Sequence, residues 1–411
     1  MALSELEIER IGAQGDGVAE GGVFVPLTLP GERVSAQVEG GRAELAEILR
    51  PSPDRVAPVS PHYGECGGCS LQHWAHGPYL AWKAEQVRLA LGWEGIETEI
   101  LPIFASPPAS RRRLALHARK GRGGAEIGFK ARKSWRLVAI EVCPIADPRL
   151  VAAFPALRRL AEPFLEHPKS APTLHVTWTA TGLDVDITGV ERRSGGLSAD
   201  ARMRAAEAAS AGDLARVTMS GEIIYQARQP MVKLGPAVLA LPPGAFLQAV
   251  PQAEGAMAAF VLEGIEGAAR LADLYCGVGT FTFRMAQSGS VLAVDSSASA
   301  IAALKAAVAS APGLKPITAE ARDLVRRPVL AMELARIDAV VLDPPRAGAA
   351  EQVGEIGRST TPRVAYVSCN PATFARDAHT LADAGFTLDR VLPVDQFLWS
   401  PHIEVVGIFS R

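Results

Sequence analysis

Residues 271–297 read LADLYCGVGTFTFRMAQSGSVLAVDSS. LADLYC and SVLAVDSS are short apolar runs of strand character, and Gly277-Val278-Gly279 follows the first of them. Glycines at that point allow a tight turn and let the backbone approach a ligand closely. Outward from this stretch the pattern repeats. ASAIAALKAAVASA reads as a helix, KPITAEARD as a third strand, and DAVVLDPPR, RVAYVSCNP and EVVGIFS as further strands, with PATFARDAHTLADAG helical between two of them. Strands alternating with helices predict an α/β, Rossmann-like, mostly parallel doubly wound sheet from about residue 244 onward.

The glycine turn is not a full G-x-G-x-x-G, because Phe281 and Thr282 follow Gly279, so a pyrophosphate ligand is disfavoured. Asp295 closes the second strand, 22 residues after Asp273, where an acid can take both hydroxyls of a ribose. Asp273-x-x-x-Gly-x-Gly with Asp295 is a pattern associated with S-adenosylmethionine sites. Asp323, after the third strand, is placed to accept from an adenine amine. Ligands of open parallel sheets sit outside the carboxyl ends of the strands. Asp343-Pro344-Pro345-Arg346 and Ser368-Cys369-Asn370-Pro371 both follow strands and therefore face the same crevice. Their prolines stiffen the loops, and Cys369 is the candidate nucleophile.

Upstream, residues 1–57 predict a small β-barrel of the kind oligonucleotide-binding folds use: LEIERIG, GGVFVPLTL, ERVSAQVEG and AELAEILR are strand-like and separated by glycine turns. PSPDRVAPVSP reads as a proline-rich linker. Residues 58–235 read as α+β, with helices at 79–92, 148–166 and 199–211, strands in RLALHARK and AEIGFKAR, and a hairpin about Thr181-Gly182. Residues 236–411 complete the division as the doubly wound part.

The chain has 411 residues, a hydrophobic fraction of 48%, a charged fraction of 21% and a net charge of −2. This is ordinary globular usage, which sets aside disorder, collagen and coiled coil. No stretch approaches a membrane span, and MALSELEIER lacks the pattern of a secretory signal, so a cytoplasmic protein is expected. The charge is unevenly spread. Residues 111–136 carry ten Arg or Lys against the single Glu126, a local +9 that leaves −11 elsewhere. Like charges packed so densely favour contact with a phosphate backbone. Five cysteines, an odd number in a reducing compartment, point to chemistry rather than disulfides. Cys66-Gly67-Gly68-Cys69 has a spacing used by zinc sites, iron–sulfur sites and redox pairs alike, and Cys143 follows the basic segment.

Taken together, Asp-Pro-Pro-Arg-x-Gly, Ser-Cys-Asn-Pro-x-Thr followed by Arg376-Asp377, and the closing His402-x-Glu404 resemble the RNA uracil-C5 methyltransferases. GDGVAEGGVFVPLTLPGERV resembles the TRAM domain of their bacterial 23S rRNA branch, and the segment from Pro61 to His73 resembles that branch's cluster-binding segment. The resemblance covers essentially the whole chain. It implies S-adenosylmethionine as cofactor, Cys369 as the nucleophile that adds to uracil C6, and Glu404 as the base that removes the C5 proton. Gln248, Tyr275, Thr280, Asp295, Asp323 and Asp343 fall on the cofactor-binding positions, and Asp343 also on the one that meets the uracil edge. Val250 stands where the family often has Asn. The resemblance assigns Cys66, Cys69 and Cys143 to a [4Fe-4S] cluster, with Ser60 where the first cysteine ligand is expected. The implied partner is RNA, 23S rRNA ahead of tRNA, with no membrane and no obligate protein partner. The competing reading is a catalytically degenerate RNA-binding or ribosome-assembly protein.

Overall fold

A computed structural model describes residues 3–191 and 197–411. Near the N-terminus the strands Leu3–Ile11, Gly17–Ala19, Val23–Val25, Arg33–Glu39 and Arg42–Arg50 close into a barrel. Its interior is filled by alternate residues such as Ile8, Val25, Val34 and Ala36. The barrel is fastened to the middle of the chain by Asp16, which is buried and pairs with Arg132 and with Lys133 at 3.0 Å.

The middle region is built on a seven-stranded sheet. Its order is Leu137–Ala139, Gly124–Lys130, Arg113–Gly121, Thr173–Thr179, Gly182–Thr188, Arg216–Met219, Glu222–Gln226. Alternation splits the strand Arg113–Gly121 cleanly. Leu114, Leu116 and Ala118 are buried with residues of the helices Phe154–Ala161 and Ala199–Ala211, whereas Ala115, His117 and Arg119 are not. The continuous helix expected over 148–166 is instead two short helices, Pro148–Ala152 and Phe154–Ala161, and a 3-10 turn, Glu162–Leu165. Pro155 and Pro163 explain the breaks: each lacks an amide hydrogen and is tolerated only in a helix's first turn.

The C-terminal sheet has nine strands. The first five on its path, Ile317–Ala321, Ser290–Asp295, Arg270–Leu274, Ala339–Leu342 and Arg363–Ser368, are parallel. Glu404–Ser410 follows, antiparallel to both Arg363–Ser368 and Thr387–Asp395. Glu99–Ile100 and Phe104–Ala105 then pair with Thr387–Asp395, so a piece of the chain before residue 106 completes this sheet. Alternate residues bury two faces. Leu271, Ala293 and Val341 pack with the helices Pro251–Gly264 and Ala298–Ala309. Ala272, Val340 and Tyr366 pack with His76–Trp93, Ala350–Arg358 and Pro371–Asp383. Among the described residues no helix is long and apolar enough to cross a membrane.

Candidate active site

The strand order reverses between Arg270–Leu274 and Ala339–Leu342, and a crevice opens there at the carboxyl ends, as the topology requires. A cavity of about 500 Å³ occupies it, lined by Gln248, Tyr275, Thr280, Asp295, Asp323, Asp343, Cys369 and Glu404 together. Glu404 reaches this edge because its strand runs antiparallel to Arg363–Ser368: it begins where that neighbour ends.

The turn after Leu274 is shaped for a ligand. Tyr275 and Gly279 both have positive φ, 63° and 99°, and a Cβ on Gly279 would meet the Phe283 ring at 2.6 Å. Gly277, with φ 54°, has open space where its side chain would be. Its amide donates to Asp295 Oδ2 at 2.9 Å, and the buried hydroxyl of Tyr275 has no hydrogen-bond partner among the described residues. An open cradle, a carboxylate at its rim and an orphaned hydroxyl suit a nucleoside-bearing ligand. Cys276, inside the same turn, is buried in the core.

Across the cavity, the Pro-Pro-Arg and Cys-Asn-Pro loops brace one another. Asn370 Nδ2 and Thr373 Oγ1 each donate to the Arg346 carbonyl at 3.1 Å, and Asn370 Oδ1 caps the next helix by accepting from the Ala372 amide. Asp377, fully buried, accepts from the Ala349 amide and the Tyr366 hydroxyl. A line of amides and carboxyls connects the two sides: Gln248 Nε2 donates to Asp343 at 3.0 Å, and Gln396 Nε2 donates to both Gln248 Oε1 at 2.9 Å and Glu404 Oε1 at 3.1 Å.

Burial dominates the electrostatics. It pushes the Glu404 carboxyl up to about 7, against Gln396 and Lys83, which lower it. Asp343 is raised well above the usual carboxylate range by burial and then by the Glu404 charge. The Cys369 thiol is pushed up to about 11 by burial, then by Glu404, while Arg346 pulls it down.

Comparison with known proteins agrees with this arrangement. A family model described as tRNA (Uracil-5-)-methyltransferase matches residues 238–411. A chain from Caulobacter vibrioides named "Uncharacterized RNA methyltransferase" is 70% identical, with 100% of each chain covered. The 23S rRNA (uracil(1939)-C(5))-methyltransferase RlmD of Alkalilimnicola ehrlichii is 32% identical over 99% of this chain and 96% of that one. This chain belongs to the RNA uracil-C5 methyltransferase family. The fold is shared with the tRNA (uracil-54, C5)-methyltransferase of Pyrococcus abyssi, solved with S-adenosyl-L-homocysteine. Its TM-score is 0.75 at 24% identity, with 98% of this chain and 99% of that one covered.

Two residues of the methyltransferase's site carry no sequence signal. Gln396 sits in an irregular stretch after Asp395, and Phe246, 64% exposed on the cavity rim, looks like an ordinary surface residue. Lys83, wholly buried on the helix His76–Trp93, pairs with Asp395 and donates to the Phe397 carbonyl at 3.1 Å. Burial brings its ammonium down to about 8. Tyr79 donates to the same Asp395 at 2.9 Å, so one helix fixes the loop between Gln396 and Glu404.

Cys66, Cys69 and Cys143 line a second cavity of about 340 Å³ with Ser60, His62 and His402. Burial raises all three thiols, Cys69 to about 12 with Cys143 adding to it. Yet among the described residues no group of three or more His, Cys, Asp or Glu side chains is arranged to hold a metal ion. The three thiols share a cavity and feel one another's charge, but this arrangement does not by itself support the expected [4Fe-4S] cluster.

Proposed function

We propose that the protein is the methyltransferase that forms 5-methyluridine in 23S rRNA through a covalent adduct between Cys369 and uracil C6. What supports this reading is the convergence of Cys369, Glu404 and six cofactor-side residues on one cavity. S-adenosylmethionine, when bound, supplies an electrophilic methyl group. Gln248, Tyr275, Thr280, Asp295 and Asp323 bind and orient it, and Asp343 holds both cofactor and base edge. Cys369 releases its thiol proton to solvent as substrate arrives and its sulfur bonds to C6; the electrons of the broken C5–C6 double bond spread over C5 and the C4 carbonyl oxygen, giving C5 carbanion character. Once C5 carries the methyl group, Glu404 takes the C5 proton. The electrons of that bond re-form the C5–C6 double bond and expel the Cys369 thiolate. A carboxylate near 7 suits that task at neutral pH. The base has to leave its stack to reach Cys369, so the target uridine is flipped or unpaired.

We read residues 1–57 as a TRAM-like RNA-binding barrel, 58–235 as the middle unit and 236–411 as the catalytic unit, acting in the cytoplasm. The likeness to RlmD favours 23S rRNA. The reaction as proposed routes no step through the thiol cavity. Mixing the protein with RNA containing 5-fluorouracil and S-adenosylmethionine tests the chemistry. A covalent complex that Cys369→Ala abolishes is expected, and its absence in the unaltered protein refutes the adduct. Mapping 5-methyluridine in cells with and without the protein tests the substrate: loss from tRNA in place of 23S rRNA would move the assignment.

A further inference from the structure

The basic segment is not one uniform patch. Arg111 stacks against Phe397, Arg112 pairs with Glu254, Arg113 donates to the Leu247 carbonyl, and Arg132 and Lys133 hold Asp16. Arg119, Lys120, Lys130 and Arg136 instead line a groove of about 740 Å³ on the middle sheet, together with His117 and Trp135. Trp135 is 87% exposed, with the Lys130 ammonium 3.8 Å from its ring centroid. Arg119 pairs with Glu126 and Arg136 with Glu65, both at exposed sites where such pairs are weak. Glu166, the acid that lines the groove, is engaged by Arg204. Among the described residues Lys120 and Lys130 form no ion pair.

This groove is joined to the catalytic cavity by one face of one strand. Arg113, Ala115, His117 and Arg119 alternate along that face, and the register sets His175 opposite Ala115. At the near end Arg113, Ala115 and His175 line a depression of about 210 Å³ whose wall is Phe246, the same ring that lines the catalytic cavity. From Arg113 to Arg119 the strand climbs about 20 Å.

We propose that this face is a track for single-stranded RNA flanking the target uridine, entered at Phe246 and ending on Trp135, where a base stacks. A protein partner would need a matching apolar surface. Here a lone exposed indole sits among cations, which is what a phosphate backbone with unstacked bases fits. The proposal rests on the RNA-methylation reading, and the test separates the two.

Binding is measured with the full chain and a fluorescent single-stranded RNA of about 20 nucleotides around one uridine, long enough to cover the track. Trp135→Ala weakens binding about tenfold, Trp135→Phe restores most of it, and the melting temperature is unchanged because the side chain is exposed. Lys120→Ala with Lys130→Ala lowers the salt slope of log Kd by about 1.4. At saturating RNA, kcat is unaffected in all three. Kd and salt slope within twofold of the unaltered protein would overturn the track while leaving methylation intact. A Trp135-dependent Kd in a protein that methylates no uridine would keep the track and remove the functional reading. Equal losses for a blunt duplex of the same sequence would overturn the single-strand assignment.

Discussion

Glu404 is only 4% exposed, and its carboxyl, ordinarily at 4.5, sits at about 7. The raised value gives two predictions at the scale of the residue. As the proposed base it has to be deprotonated, so kcat/KM should fall as pH drops below about 7, and a pH–rate profile with no acid limb there contradicts that role. In the fold the group keeps its proton up to about 7, whereas the unfolded chain releases it near 4.5, so its contribution to stability falls as pH rises through that window. Glu404→Gln removes the penalty. Denaturant melts should find the variant more stable at pH 8, by up to about 3 kcal/mol, with the advantage nearly gone at pH 5. Gln396 belongs to the same scale, since it bridges Gln248 and Glu404. Gln396→Ala should lower kcat by roughly ten- to a hundredfold while the fluorouracil adduct still forms, because it misplaces the proposed base Glu404 and leaves the proposed nucleophile Cys369 alone. The places of Cys369 and Glu404 in the cavity were legible from their motifs. Gln396 was not, because a glutamine in an irregular loop has no pattern until the fold puts it between two others.

At the scale of the element, the helix His76–Trp93 carries Lys83 and Tyr79 to Asp395, across the joint between the middle of the chain and the catalytic sheet. Lys83→Met leaves Asp395 buried with only Tyr79 for a partner. It should cost about 3 kcal/mol in chemical denaturation, and replacing both ionic partners with apolar residues should recover much of that. The helix itself was readable from its sequence over 79–92. Its destination was not, because the contact spans 312 positions and no local periodicity encodes it. The same limit hid the direction of Glu404–Ser410. Alternation marks a strand but says nothing of whether it runs up or down, and here the antiparallel run is what brings Glu404 to the crevice. The strand Thr387–Asp395 escaped the sequence reading altogether, with Pro393 inside it.

At the scale of the whole molecule, the charge of residues 111–136 suggested contact with phosphate. Half of these cations are instead spent on holding the parts of the chain together, which composition cannot distinguish from a surface patch. The main clasp is Arg112, which pairs with Glu254 at 2.5 Å while Arg284 holds the other oxygen of that carboxylate at 2.7 Å. Arg112 also donates to the Gln248 carbonyl, and its amide to Ala249. The residue just before the strand that carries the exposed face thus grips the backbone of a residue in the catalytic cavity. Two ligands leaning on one wall share one free energy of coupling, and linkage makes it symmetrical. If RNA tightens S-adenosylmethionine by some factor, S-adenosylmethionine must tighten RNA by the same factor. Calorimetric titrations in both orders should return equal ratios, and Arg112→Ala should bring both towards one. The order in which the protein meets its two substrates is then a matter of their concentrations in the cell, not of the fold.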